Sequence, residues 1–156
     1  MDYLGTENII HRDLATRNVL ISSENRAKIS DFGLAQPPNT GNYYTLKTDR
    51  HFPFGWFAIE CLKEGKFSAK SDVWAYGVTC WEMFTRGGVP YPDWKHGAIV
   101  NELQNGKRLP PKPPCTDTIY VTLIWPCLNE LPSDRPTFYD LQQTVKNLLD
   151  STPELI

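Results

Sequence analysis

The distribution of apolar and polar positions changes character near residue 71. Between Asp72 and Thr85 only Asp72, Thr79, Glu82 and Thr85 are polar. A helix apolar almost all round belongs in the middle of a domain, so this stretch is the expected central pillar. Ser71 reads as its N-cap and Asp72 as an acid at the positive end of the helix dipole. Upstream the periods are short. Residues 1 to 10 read as the end of a helix, a stop at Gly5 and entry into an extended segment. Val19-Leu20-Ile21 and Ala27-Lys28-Ile29 read as two strands around the polar turn Ser22 to Arg26. Residues 34 to 55 keep no period and read as a long loop, a feature that in a compact domain is usually functional or disordered.

Beyond the pillar, Gly87, Gly88, Pro90 and Pro92 break the helix. Ile99, Val100 and Leu103 mark a short amphipathic helix ending near Gly106. The proline-rich run Leu109 to Pro114 leads to a helical pattern at Ile119 to Ile124, which Pro126 should stop near Trp125. The last helix starts at Thr137, with Asp140 three residues on as a capping box. Phe138, Leu141, Val145, Leu148 and Leu149 give it one apolar face. The expected fold class is mainly α, one domain with a central buried helix and a short β-hairpin near its start.

Composition adds mostly exclusions. With 156 residues, 40% of them apolar, the chain can bury a core, and its net charge of -2 offers no footprint for nucleic acid or an anionic membrane. Cys61, Cys80, Cys115 and Cys127 form no C-x-x-C pair and no zinc spacing with histidine, so a reducing, intracellular compartment is the default expectation. Neither a membrane span nor a signal peptide is present in the sequence, which therefore reads as soluble.

The chemistry concentrates in His11-Arg12-Asp13-Leu14-Ala15-Thr16-Arg17-Asn18 and Asp31-Phe32-Gly33. Phosphoryl transfer needs a carboxylate to orient an acceptor hydroxyl and take its proton, oxygen ligands for magnesium, and positive charge near the moving group. Asp13 can be the first. Asn18 and Asp31 offer a hard amide oxygen and a carboxylate suited to Mg2+, and Arg17 offers the charge. Gly33 would let the backbone turn behind the metal ligand. A lone Asp before a strand is more often a turn former, and a lone Asn after an Arg says still less. Together His11, Arg12, Asp13, Asn18, Asp31, Phe32 and Gly33 fix seven positions at set spacing, which agree by chance on the order of 10⁻⁹ of the time.

Here the chain resembles the protein kinase family, and Asp-Leu-Ala-Thr-Arg-Asn resembles its tyrosine kinase branch. The resemblance implies a kinase-like C-terminal lobe over residues 1–156, with a catalytic loop at 11–18, an activation segment at 31–60 and a helical subdomain at 61–150. It implies Asp13 as catalytic base beside Arg17, and Asn18 and Asp31 as ligands of Mg2+, with Mn2+ as an alternative, on ATP. His11 and Arg12 become support residues, Arg12 able to pair with a phosphorylated loop residue. Tyr43 and Tyr44, with Lys47 and Arg50 nearby, become regulatory phosphorylation sites. Read without the family, the two tyrosines are half-buried loop aromatics. Pro53 and Trp56 become the platform for the acceptor tyrosine. Glu60 is expected to pair with Arg135, where the plain alternative is two surface charges. Asp72 is expected to accept backbone hydrogen bonds from the catalytic loop.

Thr85 to Pro92 and Ala58-Ile59-Glu60 resemble receptor tyrosine kinases, whereas Met1 to Gly5 and Tyr43 to Arg50 resemble cytoplasmic Janus kinases. The receptor type is the favoured expectation. Two places depart from the pattern. Gly55 stands where relatives often carry a basic residue, and Cys127 is followed by Leu128 where they usually read Cys-Trp. The Gly-rich loop, the Val-Ala-Ile-Lys strand and its helix Glu are absent from these residues, so the N-terminal lobe is expected to lie outside the chain. The isolated fragment is then expected to be inactive and the parent active in signalling. Implied partners are protein substrates with acceptor tyrosines and, on the activated form, phosphotyrosine-binding modules. Implied localisation is cytoplasmic, at the inner face of the plasma membrane for a receptor. A pseudokinase-like or truncated binding module is the alternative, and a small-molecule or lipid phosphotransferase a remote third.

Overall fold

The computed structural model describes residues 1–39, 41–45, 54–94 and 97–151. The order is α1 (Asp2–Thr6), β1 (Val19–Ile21), β2 (Ala27–Ile29), β3 (Tyr44–Thr45), α2 (Ile59–Glu64), β4 (Lys66–Phe67), α3 (Ala69–Phe84), α4 (Ile99–Gln104), α5 (Asp117–Ile119), α6 (Trp125–Cys127) and α7 (Phe138–Ser151). Short 3-10 turns stand at Thr16–Asn18, Phe32–Leu34, Phe54–Trp56 and Pro132–Asp134.

Helix α3 is the pillar. Trp74 and Val78 are fully buried, and Val73, Cys80 and Trp81 nearly so. Its start lies three residues earlier than the sequence pattern implies. Ser68 is the N-cap, and Ser71 closes a capping box by accepting the Ser68 N–H at 2.9 Å. The serine at the third helical position thus serves the cap instead of being it. Gly77 permits the closest approach in this core. A Cβ there would lie 2.7 Å from Cys127 Cβ, so α3 can meet α6 only without a side chain.

The hairpin pairs Val19 with Ile29, Leu20 with Lys28 and Ile21 with Ala27, as the strand pattern indicates. A second antiparallel pair, unseen in the sequence, joins Tyr44 to Phe67 and Thr45 to Lys66. Two-residue strands carry no period to detect. Gly5 does not stop α1. The helix runs on to Thr6, and Asn8 takes the left-handed turn at φ 56°.

Pro126 does not end its helix at Trp125 either. A π-helical turn at Tyr120–Ile124 precedes α6, which carries helical backbone on to Cys127. Widening the preceding turn relieves the contact between a proline ring and the carbonyl below it. On α7, Thr137 and Asp140 form the expected capping box, Thr137 N–H donating at 2.9 Å and Asp140 N–H returning at 3.1 Å. Leu141 is buried, and Phe138, Val145 and Leu148 pack on the core, but Leu149 faces out at 43% exposure. All four cysteines are free thiols, three of them buried. Among the described residues no helix is long and apolar enough to cross a membrane.

Candidate active site

Residues 10 to 18 are pinned from three sides. Ile10 exchanges both backbone hydrogen bonds with Gln36 at 3.0 Å, tying the loop's entry to the segment beyond Asp31. Ser30 N–H and Oγ–H donate to Asn18 O at 2.8 and 3.0 Å, tying the exit to the residue before Asp31. From below, the Asp72 carboxylate accepts His11 N–H at 2.7 Å and Arg12 N–H at 3.0 Å. That grip has a purpose. Arg12 sits at φ 71°, a conformation L residues enter only under constraint. Burial pushes the Asp72 carboxyl up to about 6, against the two backbone N–H groups that pull it down.

Within this frame Asn18 donates to Asp13 O at 2.6 Å and to Asp13 Oδ2 at 2.9 Å, while Arg17 pairs with Asp13 Oδ1. His11 is fully buried. Its Nδ1 accepts Asp13 N–H at 3.3 Å and its Nε2 faces Ser30 O at 3.2 Å, so the proton sits on Nε2. Burial lowers its pKa, outweighing Ser30, Asp13 and Asp31, all of which favour the charged form.

Asp31 itself takes the left-handed conformation, at φ 60°. Gly33 has a different part from the one the sequence suggests. Its N–H donates to Asp31 Oδ1 at 3.2 Å, and a Cβ on it would stand 3.1 Å from that oxygen. The glycine makes room for the carboxylate, and the turn is made by Asp31. Phe32 is 47% exposed and meets His11 edge-on at 5.0 Å.

Trp56 joins the group, with Arg17 4.9 Å above its ring. Pro53, Lys47 and Arg50 lie outside the described residues. Next to Trp56, a Cβ on Gly55 would reach 2.9 Å from Pro90 Cγ, a local reason for glycine where a larger residue is expected. Tyr43 is 42% exposed, whereas Tyr44 is half-buried under the Arg12 guanidinium, 4.1 Å from its ring centroid. Arg12 also donates to Leu34 O at 3.1 Å and stands 4.8 Å from the Phe67 ring.

Glu60 and Arg135 meet away from this centre, in a two-pronged pair of 2.6 and 2.8 Å. Arg135 is buried and sends further N–H groups to Asn129 O, Lys70 O and Glu130 O at 2.8, 3.0 and 3.0 Å. Every donor of its fork is used, which is what allows a guanidinium to be buried.

Sequence reasoning missed Glu82. It is buried near the end of α3, where Oε2 accepts Thr16 N–H at 3.1 Å and Trp56 Nε1–H at 2.7 Å. Its Oε1 accepts Thr16 Oγ–H at 2.8 Å. A carboxylate inside an otherwise apolar helix was the available signal, because burying one without donors is costly.

The model of the protein tyrosine and serine/threonine kinase family matches residues 1–145. The chain belongs to this kinase family. It is 40% identical to the tyrosine-protein kinase receptor torso of Bombyx mori over 151 residues, 97% of the chain and 19% of that protein. It is 39% identical to the fibroblast growth factor receptor of Ciona intestinalis over 155 residues, 99% of the chain and 21% of that protein. The chain thus spans about a fifth of the length of these relatives. Kinases of this family use ATP with a divalent metal ion and act on proteins. Among the described residues no cluster of three His, Cys, Asp or Glu side chains forms a metal cage. An amide and a carboxylate fit a metal that takes its remaining oxygens from phosphate and water.

Proposed function

We propose that the chain is the larger, C-terminal lobe of a receptor-type protein tyrosine kinase, which transfers the ATP γ-phosphoryl group to tyrosine hydroxyls of proteins in signalling. One observation carries this reading: the Asp13 carboxylate is held between Arg17 and Asn18, and Ser30 ties Asn18 to the segment that bears Asp31. Asp13 orients the acceptor hydroxyl and takes its proton. Asn18 has committed its amide N–H groups to Asp13, so its oxygen is the atom that would serve a metal. Asn18 and Asp31 would hold Mg2+, or Mn2+ in its place, and the ion neutralises the charge that develops on the phosphates when bound. Arg17 places positive charge beside the base.

Trp56 and Pro53 supply the platform for the acceptor tyrosine. Tyr43, the more exposed of the two loop tyrosines, is open to modification, while Tyr44 holds Arg12 through its ring. Phosphorylation of either adds charge that Arg12 can bind, and the modified segment offers a docking point for phosphotyrosine-binding modules. Asp72, Glu60, Arg135, His11, Arg12 and Gly33 are structural supports. The parent's kinase domain works on the cytoplasmic side of the plasma membrane. The N-terminal lobe, with its glycine loop and lysine strand, lies outside residues 1–156, and the isolated chain has negligible activity.

The test is Asp13→Asn in the parent protein. It should abolish phosphorylation of a tyrosine peptide and leave urea unfolding of the 156-residue chain nearly unchanged. Retained turnover would remove Asp13 from the base role.

A further inference from the structure

Glu82 is hard to explain as a stabilising residue. An apolar side chain would fill its place on α3 without the cost of burying a carboxylate. Among the described residues it has no cationic partner; the three donors it collects are Thr16 N–H, Thr16 Oγ–H and Trp56 Nε1–H, at 3.1, 2.8 and 2.7 Å. Those donors come from two segments forty residues apart that both face the reaction centre. Thr16 belongs to the turn that carries Arg17 and Asn18, and Trp56 ends the segment proposed to seat the peptide. The circuit closes on itself. Arg17 follows Thr16, lies 4.9 Å over the Trp56 ring, and pairs with Asp13.

We infer that Glu82 is a positioning residue: it clamps the Trp56 segment to the catalytic turn and so sets the register between the acceptor hydroxyl and Asp13. This rests on the reading of the chain as a kinase lobe. Movement of Trp56 relative to Thr16 would pass through the Arg17 stack to the carboxylate that must meet the hydroxyl. Misplacing reacting groups by about 1 Å costs about 100-fold in rate.

Two arms test the clamp. In the 156-residue chain, NMR of ¹⁵N-labelled protein follows the Trp56 indole and the backbone amides of Thr16, Arg17 and Asp13 in Glu82→Gln and Glu82→Ala. All four signals should shift together, more in Glu82→Ala. Shifts confined to Trp56 and Thr16, with Arg17 and Asp13 unmoved, would overturn the relay. In the parent protein, Glu82→Gln and separately Trp56→Phe should raise the peptide KM about tenfold and lower kcat/KM about 100-fold, with the KM for ATP unchanged. With rates expressed per folded enzyme, an unchanged peptide kcat/KM in Glu82→Gln would mean that Glu82 only maintains the amount of folded enzyme, and would overturn the proposal. If the wild-type parent phosphorylates no tyrosine, the kinase reading itself fails, and the NMR arm still decides whether the clamp exists.

Discussion

Asp72 and Glu82 lie ten residues apart on α3, about 15 Å along its axis. Both are buried carboxylates, and both serve the same loop. Asp72 takes only backbone N–H groups, from His11 and Arg12, and so holds a strained piece of chain in one conformation. Glu82 takes one backbone and two side-chain donors from two different segments, and so holds those segments against each other. The difference is between fixing a shape and fixing a distance. A loop can be rigid and still be misplaced relative to the surface that delivers its substrate. The helix supplies both constraints from one rigid body, which is why a pillar buried in the core can govern chemistry at the surface.

The comparison can be broken in order of expected effect. Arg135→Ala should cost about 3–5 kcal/mol in urea unfolding of the chain, because Glu60 is left without its partner. Arg135 touches α3 through Lys70 O and Trp74 but not the catalytic loop, so the parent variant should keep its peptide KM. A raised KM would show that lost stability alone mimics a lost clamp. Asp72→Ala leaves two N–H groups unpaired and should cost about 3 kcal/mol by the same measurement. A loss below about 1 kcal/mol would mean that water replaces the carboxylate. Gly77→Ala touches neither carboxylate but overpacks the contact with Cys127, for about 2 kcal/mol. Its thermal midpoint should fall with no shift of the Trp56 indole signal.

The smaller effects separate the two carboxylates. Glu82→Gln and Thr16→Val should couple by about 1 kcal/mol in a double-mutant cycle, whereas Asp72→Asn and Thr16→Val should add within about 0.5 kcal/mol. The smallest is a pair of opposed pH slopes. Between the ordinary carboxyl value of 3.8 and about 6, folded Asp72 keeps a proton that the unfolded chain has released, so its contribution falls as pH rises across that window. His11 has the reverse sign. The fold keeps it neutral while the unfolded chain protonates below the ordinary 6.5, so its contribution falls as pH drops through that value. Stability of Asp72→Asn and His11→Asn measured from pH 4 to 7 should lose one slope each. Parallel curves for wild type and both variants would remove these assignments.

Much of this arrangement was legible in advance. The run from His11 to Asn18 and the triplet at Asp31 are local in sequence, and their spacing places them at one hairpin whose strands follow the apolar pattern. Asp72 was legible because it opens a helix and belongs to a recognisable motif. Glu82 was visible as one polar position among apolar ones, yet its partners are 66 and 26 residues away and nothing local points to them. Gly33 was misjudged because spacing identifies a glycine without saying whether it turns the chain or only clears space for a neighbour. Pro126 was misjudged because a helix can absorb a proline by widening the turn before it.

By itself, then, the order of residues determined the kinase family, the mainly helical class and the two strands of the first hairpin. These depend on spacing and period, which are properties of neighbouring positions. Tertiary structure decided where the charges point: that Glu60 meets Arg135, that Tyr44 and not Tyr43 lies beneath Arg12, and that Glu82 joins the catalytic turn to Trp56. A buried charge is tolerated only where donors converge on it, and convergence from distant segments exists only once the chain has folded.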